Sequence, residues 1–294
     1  MAKAQTYGAS DIEVLEGLEP VRKRPGMYIG GTDEHAYHHL VGEILDNAMD
    51  EAVAGHADKI DIELQKDNVI VIRDNGRGIP IDEHPKYPGK SALEVILTTL
   101  HSGGKFGGKA YETSGGLHGV GISVVNALSD VMWVEVYRDK NVYKQSYSKG
   151  LTTSKLEKKA AKEKANGTTV CFHPDPEIFG TKAKFRPSWL YQMARSKAYL
   201  YRGVEIHWKC VPSLLKSDSK ISADEKFKFP KGLLDFLESS LKDVKTLTPQ
   251  AFHGQAKFQD DQGRMEFAVA WPTHGDGFIH SYCNTVPTPQ AGTH

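Results

Sequence analysis

The run His38-His39-Leu40-Val41-Gly42-Glu43-Ile44-Leu45-Asp46-Asn47-Ala48-Met49-Asp50-Glu51-Ala52 governs how this chain is read. Its apolar residues recur at three- and four-residue intervals, which predicts a helix over His35 to Ala54 with Val41, Ile44, Leu45, Ala48 and Ala52 turned to a core. At about 100° per residue, Glu43, Asn47 and Asp50 fall within about 60° of one another, flanked by Asp46 and Glu51. That polar face holds four acids and an amide, with no Lys or Arg among them. Helix faces usually interleave charges, because like charges one turn apart repel. The stripe suggests a missing cation; taken alone, a solvated face is the stronger reading. Asn and carboxylate oxygens are hard ligands suited to Mg2+, which takes one or two protein ligands and fills its shell with waters and phosphates. His39 stands one turn before Glu43 and can hold its carboxylate, and a Glu held beside a metal-bound phosphate is a reasonable general base for water. Zinc bound by His35, His38 and His39 is a competing reading that lacks support for the open metal geometry it needs.

On the N-terminal side, Leu15, Leu18 and Val21 sit at helical spacing behind an arm, and Pro25-Gly26 breaks that pattern. Ile60 to Leu64 alternates and Val69 to Arg73 is nearly all apolar, so both read as strands, with Lys66-Asp67-Asn68 as the turn. Ser91 to His101 reads as a helix, and Ile122 to Leu128 as another. Strands are expected at Met132 to Tyr137, Val142 to Tyr147 and Thr168 to Phe172, and Lys155 to Lys164 reads as a solvated surface loop. Helices broken by hairpin strands predict an α/β two-layer sandwich, a mixed sheet with helices on one face. The texture changes near residue 225. Gly232 to Leu241 reads as a helix, and Arg264 to Trp271 and Phe278 to Asn284 read as strands of a second domain. The expected division is 1–225 and 226–294.

Lys+Arg and Asp+Glu are equal at 37 each, so no global basic field favours non-specific nucleic-acid binding by this chain alone. Cys171, Cys210 and Cys283 form no CxxC pair, which fits a reduced, cytoplasmic protein. The first residues lack an apolar leader, and no apolar run approaches the roughly 18 residues of a membrane span.

Two further motifs carry chemistry. Val69 to Arg73 runs into Asp74-Asn75-Gly76-Arg77-Gly78-Ile79-Pro80. A carboxylate at the end of a buried strand can accept from an exocyclic amine, which tells adenine from guanine, and glycines let the backbone approach a flat ring. By itself this is also a β-turn with a proline exit. Ser102 to Gly121 holds eight glycines in twenty residues, a length that marks a lid or a disordered segment. Its end, Ser114-Gly115-Gly116-Leu117-His118-Gly119-Val120-Gly121, precedes a helix, so backbone N–H groups and a helix N-terminus make an anion site. The spacing is not the dinucleotide fingerprint. Gly89-Lys90-Ser91 mimics the end of a P-loop, but His84 stands where the upstream glycine is required. Lys105 reads as a phosphate contact or as a solvated lid lysine.

In this order, Glu43…Asn47…Asp50-Glu51, Asp74-x-Gly-x-Gly78, Gly115 to Gly121 and Gly167-Thr168 resemble the ATP site shared by gyrase B subunits, Hsp90, histidine kinases and MutL. Val21-Arg22-Lys23-Arg24-Pro25-Gly26-Met27-Tyr28-Ile29-Gly30 and Ser114 through Leu128 narrow the resemblance to the ATPase subunits of bacterial type II DNA topoisomerases, over essentially the whole chain. Ser91 to Glu94 and Tyr282 to Pro289 look more like the ATPase subunits of topoisomerase IV than those of DNA gyrase. The resemblance implies a Bergerat-type ATP-binding fold, ATP as substrate and Mg2+. It implies Glu43 as general base held by His39, Asn47 as the Mg2+ ligand, and Asp74 with Thr168 reading adenine. Glu51, Arg77, Gly78, Ile79 and Pro80 would line the base pocket. Gly104, Lys105, Tyr111 and Leu117, His118, Gly119, Val120 and Gly121 would hold ribose and phosphates. Tyr7 would reach into a partner copy's site, and Arg138 would sit at the mouth, where aminocoumarins dock. Implied partners are DNA, the DNA-cleaving subunit and a second copy of this chain. The family's γ-phosphate lysine lies past Gly292-Thr293-His294, so strong hydrolysis by these residues alone is not expected, nor is DNA cleavage.

Overall fold

Large apolar residues alternating with charged ones build the middle of the molecule. The computed structural model describes residues 12–103, 119–161, 165–215, 221–258, 263–283 and 286–288. The chain opens with helices α1 (Glu19–Lys23), α2 (Gly26–Ile29) and α3 (Glu34–Val53), then strands β1 (Lys59–Leu64) and β2 (Ile70–Asp74). Helices α4 (Ala92–Thr98) and α5 (Gly121–Ala127) precede β3 (Ser129–Arg138), β4 (Asn141–Ser148), β5 (Leu151–Thr152), β6 (Glu157–Ala160) and β7 (Gly167–Pro174). After α6 (Pro176–Phe179) and α7 (Pro187–Leu200) come β8 (Glu205–Cys210) and β9 (Asp224–Phe227). The remainder holds α8 (Leu233–Ser240), β10 (Phe252–Lys257), β11 (Arg264–Val269), β12 (Tyr282–Cys283) and β13 (Val286–Pro287).

One sheet runs β5-β4-β3-β7-β2-β1-β8-β9, with β6 also on β4. Only the β1–β8 pair is parallel, so the sheet is mixed as expected. Ile60, Ile62 and Leu64 lie level with Ile206, Trp208 and Cys210, and Ile62 and Leu64 pair with Ile72 and Ile70. All are buried. Helix α3 packs over β1, β2 and β7, α5 over β3, β4 and β7, and α7 over β8 and β9. Each fully buried Leu or Ile contributes about 2 kcal/mol. The opposite face is charged: Lys144 reaches Glu135 at 2.9 Å, and His207 lies 3.2 Å from Asp61 and 2.7 Å from Asp224. A sheet with one face so solvated needs no second helical layer.

Several expectations change in detail. Within the Lys155 to Lys164 run, Glu157 to Ala160 are exposed as expected of a surface loop, yet they form β6, paired antiparallel with β4. Glu157, Lys158 and Lys159 suit an edge strand that meets water on both faces, and charges deter further pairing. The expected helix from Ser91 ends at Thr98, because Thr98 Oγ1 and Ser102 Oγ turn back to the carbonyls of Glu94 and Thr99, and His101 takes a positive φ. Pro25 both ends α1 and N-caps α2. Of the strand expected over Phe278 to Asn284, Tyr282–Cys283 is strand among the described residues. Helix α7 and strands β8, β9 and β10 were not anticipated. Strand β9 runs through the boundary expected at residue 225 and completes the sheet at Phe227.

Candidate functional site

Helix α3 begins where the Asp33 carboxylate accepts from Ala36 N–H at 3.0 Å, and it continues for 20 residues. Its apolar face, from Leu40 and Val41 through Ala52, is buried as the sequence requires. On the polar face His39 Nε2 lies 3.1 Å from Glu43 Oε1. The hydrogen bond to Glu43 holds the imidazole above its ordinary pKa. Asn47 is half-buried one turn further on, and Asp50 is buried.

The sequence reading of an uncompensated stripe is corrected here, because cations arrive from elsewhere in the fold. Lys197 of α7, itself buried, places Nζ 2.5 Å from Asp46 Oδ1. Burial nevertheless pushes the Asp46 carboxyl above its usual range. Arg77 engages Glu51 through its backbone N–H at 2.9 Å, Nε at 3.1 Å and Nη2 at 2.8 Å. This is the planar fork pairing that guanidinium makes best. The zinc alternative fails on bonding: His38 Nδ1 is 2.7 Å from the Glu34 carbonyl, and Nε2 accepts from Arg186 N–H at 2.7 Å. Both ring nitrogens are committed, and burial lowers the His38 pKa.

Asp74 closes β2 beneath the C-terminal half of α3. Its Oδ1 accepts from Gly76 N–H at 2.8 Å and Thr168 N–H at 3.3 Å, which leaves Oδ2 outside those two bonds. Burial is the main reason its pKa rises to about 6. Asn75 steps aside to cap the start of β1, accepting from Asp58 and Lys59 N–H at 3.0 Å each. Gly78 has φ +78, and a Cβ there would meet Val136 and the Tyr137 carbonyl at about 3.0–3.1 Å, so the turn requires glycine. Ile79 N–H donates to Thr168 Oγ1 at 3.3 Å, and Arg138 Nη1 donates to the Gly78 carbonyl at 3.2 Å. Pro80 follows, exposed. Glu51, Asp74, Arg77, Gly78, Ile79, Arg138 and Thr168 therefore form one bonded cluster.

Near the middle of α3, Gly119 and Val120 lead into α5, whose first residue, Gly121, faces Glu43. A side chain at position 121 would run into Glu43 Oε2, so glycine here makes room for the carboxylate. The two motifs thus meet in space although 78 positions separate them (121 − 43). Tyr7, Gly104, Lys105, Tyr111, Leu117 and His118 lie outside the described residues. Lys197 was missed by sequence reasoning. Its signal was a lysine on the helix face otherwise formed by Leu190, Ala194 and Ala198, all buried.

The chain matches known proteins in sequence and fold. The family model described as histidine kinase-, DNA gyrase B- and HSP90-like ATPase matches residues 32–178, and the DNA gyrase B model matches 232–294. The B-type subunit of DNA topoisomerase 4 from Bartonella bacilliformis is 57% identical over 289 residues, 98% of this chain and 42% of the relative. The Caulobacter vibrioides protein of the same name is 58% identical over 292 residues, with the same coverage. The chain thus spans about two fifths of the length of these curated relatives. The crystal structure of the 43K ATPase domain of Thermus thermophilus gyrase B in complex with an aminocoumarin matches with a TM-score of 0.75 at 37% identity, covering 92% of this chain and 66% of that one. Among the described residues no helix is long and apolar enough to cross a membrane.

Proposed function

The chain belongs to the histidine kinase-, DNA gyrase B- and HSP90-like ATPase family, and from that premise we propose that it is the ATP-hydrolysing part of a type II DNA topoisomerase subunit, of the topoisomerase IV kind. The observation that carries the reading is the meeting of Glu43 with Gly121: a carboxylate fixed by His39 faces the backbone of a glycine-lined helix start. In this reading Glu43 takes the proton of the attacking water, and His39 holds it in place. Gly119, Val120 and Gly121 offer backbone N–H groups to the phosphates, with Gly104, Lys105, Tyr111, Leu117 and His118 completing the phosphate and ribose contacts. Asp74 Oδ2 accepts the adenine amine while Thr168 and the Glu51–Arg77 pair wall the base pocket, with Gly78, Ile79, Pro80 and Arg138 around it.

Asn47 holds Mg2+. Its amide oxygen is a hard ligand of the kind Mg2+ takes, and the ion would bring waters and phosphates for the remainder of its shell. Bound there, the ion supplies positive charge against the phosphates. In the whole protein, ATP-dependent pairing with a second copy, including Tyr7, would drive DNA strand passage with the DNA-cleaving subunit in the cytoplasm. The ATPase domain would run to the end of β9 at Phe227, two residues past the boundary expected at 225, and the rest would start a second domain. Aminocoumarins would bind at the Arg138 mouth. The topoisomerase IV assignment draws on 57% and 58% identity to relatives of that name. The test pairs the full-length subunit with its cleavage subunit. Strong ATP-dependent decatenation without negative supercoiling, lost in Glu43→Ala, is expected; turnover unchanged in Glu43→Ala would overturn the mechanism, and negative supercoiling would mean gyrase.

A further inference from the structure

The polar face of α3 carries Glu43, Asp46, Asn47 and Asp50 within two turns, and the helix itself contains no Lys or Arg to balance them. Lys197 provides a balancing charge from α7. Its side chain is 5% exposed and its ammonium lies 2.5 Å from Asp46 Oδ1. A lysine so buried is retained only where a paired carboxylate offsets its desolvation. The neighbours on its face of α7, Leu190, Ala194 and Ala198, are small or apolar and buried, so the ion pair is a polar tie among apolar neighbours, more than two turns along α7 from the Arg186–Glu34 pair at the helix start.

The other face of α7 holds a different part of the chain. Arg195 Nη2 donates to Ser239 Oγ at 3.1 Å. Tyr199, one turn on, stacks on Phe236 at 4.0 Å between ring centroids, and its hydroxyl lies 2.8 Å from that of Tyr282. Just past the helix end Arg202 pairs with Glu266. Position 197 is rotated about 200° from 195 and about 160° from 199, so the two sets of contacts leave α7 in nearly opposite directions. Helix α7 and the residue just past it therefore meet Phe236, Ser239, Glu266 and Tyr282 on one side, and α7 meets the Glu43–Asn47 turn on the other.

We propose that Lys197 is a positioning residue for ATP hydrolysis: by tethering Asp46 it sets the Glu43–Asn47 turn of α3 against Gly121, and it ties that setting to the segment 233–283 across α7. The inference rests on the proposed ATPase reading. It assigns Lys197 no contact with nucleotide. The base-pocket cluster at Asp74, Glu51 and Arg77 is bonded independently of it, so loss of the tether separates chemistry from binding. Misplacement of reacting groups by about 1 Å costs as much as 10²-fold in rate.

The test is carried out on the full-length subunit, with ATP turnover, affinity for a non-hydrolysable ATP analogue and thermal melting measured side by side. Lys197→Met keeps the aliphatic stem and removes the charge. Its kcat is expected to fall about 10- to 100-fold while analogue affinity stays within about threefold, and Lys197→Arg is expected to recover most of the rate. Tyr199→Ala is expected to lower kcat with the same split, and its effect combined with Lys197→Met is expected to be less than additive. An unchanged kcat in Lys197→Met, rate and affinity falling together, or strict additivity with Tyr199→Ala would overturn the proposal. Should Lys197→Met fail to fold, Asp46→Asn, which preserves the shape, takes its place: a severalfold fall in kcat at constant affinity supports the tether, and a wild-type kcat overturns it. Glu43→Ala run in parallel separates the two readings. Turnover surviving in Glu43→Ala sinks the ATPase mechanism itself, whereas turnover lost there but intact in the Lys197 variants sinks only the positioning role.

Discussion

Glu43 and Glu51 stand on the same face of the same helix, about 12 Å apart along its axis, yet they are held in opposite ways. Glu51 is 12% exposed and receives three donors from Arg77, a permanently charged partner. Glu43 is 28% exposed, beside an imidazole that can lose its charge, and faces a glycine instead of a cation. The contrast follows from the task at each end. A wall that shapes a base pocket gains from fixed charge and full hydrogen bonding, since an ordered wall costs no reorganisation when the ligand enters. A group that must take up a proton cannot be locked by a permanent cation, which would hold its pKa down and weaken it as a base.

Breaking the Glu43 end should have the largest effect. Glu43→Gln keeps the shape and removes the base, and turnover is expected to fall about 10²- to 10⁴-fold with analogue binding retained; steady-state turnover beside calorimetric binding checks this. At the Glu51 end, Asp74→Asn is expected to cost about 10²-fold in nucleotide affinity, because the substituted amide sets an N–H against the adenine amine. Asp74 also makes the pH dependence two-sided. Its folded pKa of about 6 lies above the ordinary 3.8, so burial of Asp74 favours the fold below about pH 4, and that contribution is lost as pH rises through about 6. Nucleotide affinity should run the other way, falling as pH drops through about 6, since only the carboxylate accepts. The nucleotide-free Asp74→Asn protein should accordingly melt higher than wild type at pH 8, by roughly 1–2 kcal/mol of stability, and calorimetry across pH 3–8 reads both trends.

Two milder substitutions probe the same contrast. Arg77→Met strands the Glu51 carboxylate and is expected to lower affinity about tenfold, with kcat at saturating ATP little changed. His39→Ala should do the reverse on a smaller scale, lowering kcat about threefold to tenfold with affinity unchanged, as loss of an orienting bond implies. Equal effects of these two substitutions on both constants would erase the distinction between the ends.

Much of this arrangement was legible along the chain. Helix α3, strands β1 and β2, and the Lys66-Asp67-Asn68 turn appear where periodicity and turn chemistry place them, because each depends on neighbours within a few residues. The glycines at 78 and 121 were marked by pattern, and their reasons are now physical: a left-handed turn at one, a carboxylate against the backbone at the other. Strand β6 was hidden because an edge strand exposed on both faces has no apolar alternation to read. Helix α7 was hidden because its core face includes a lysine, which breaks the stripe that identifies a helix.

Local sequence was enough for most of the elements, the acidic face of α3, the aspartate at the end of β2 and the glycines that let backbone approach them. What balances that acidic face was set by packing alone. Lys197 joins Asp46 from 151 positions away and Arg77 joins Glu51 from 26 (197 − 46 and 77 − 51). Periodicity reports only neighbours within a turn or a hairpin, whereas Coulomb attraction depends on distance in space and strengthens where water is excluded. A charge pair made by bringing two helices together is therefore a property of the packing.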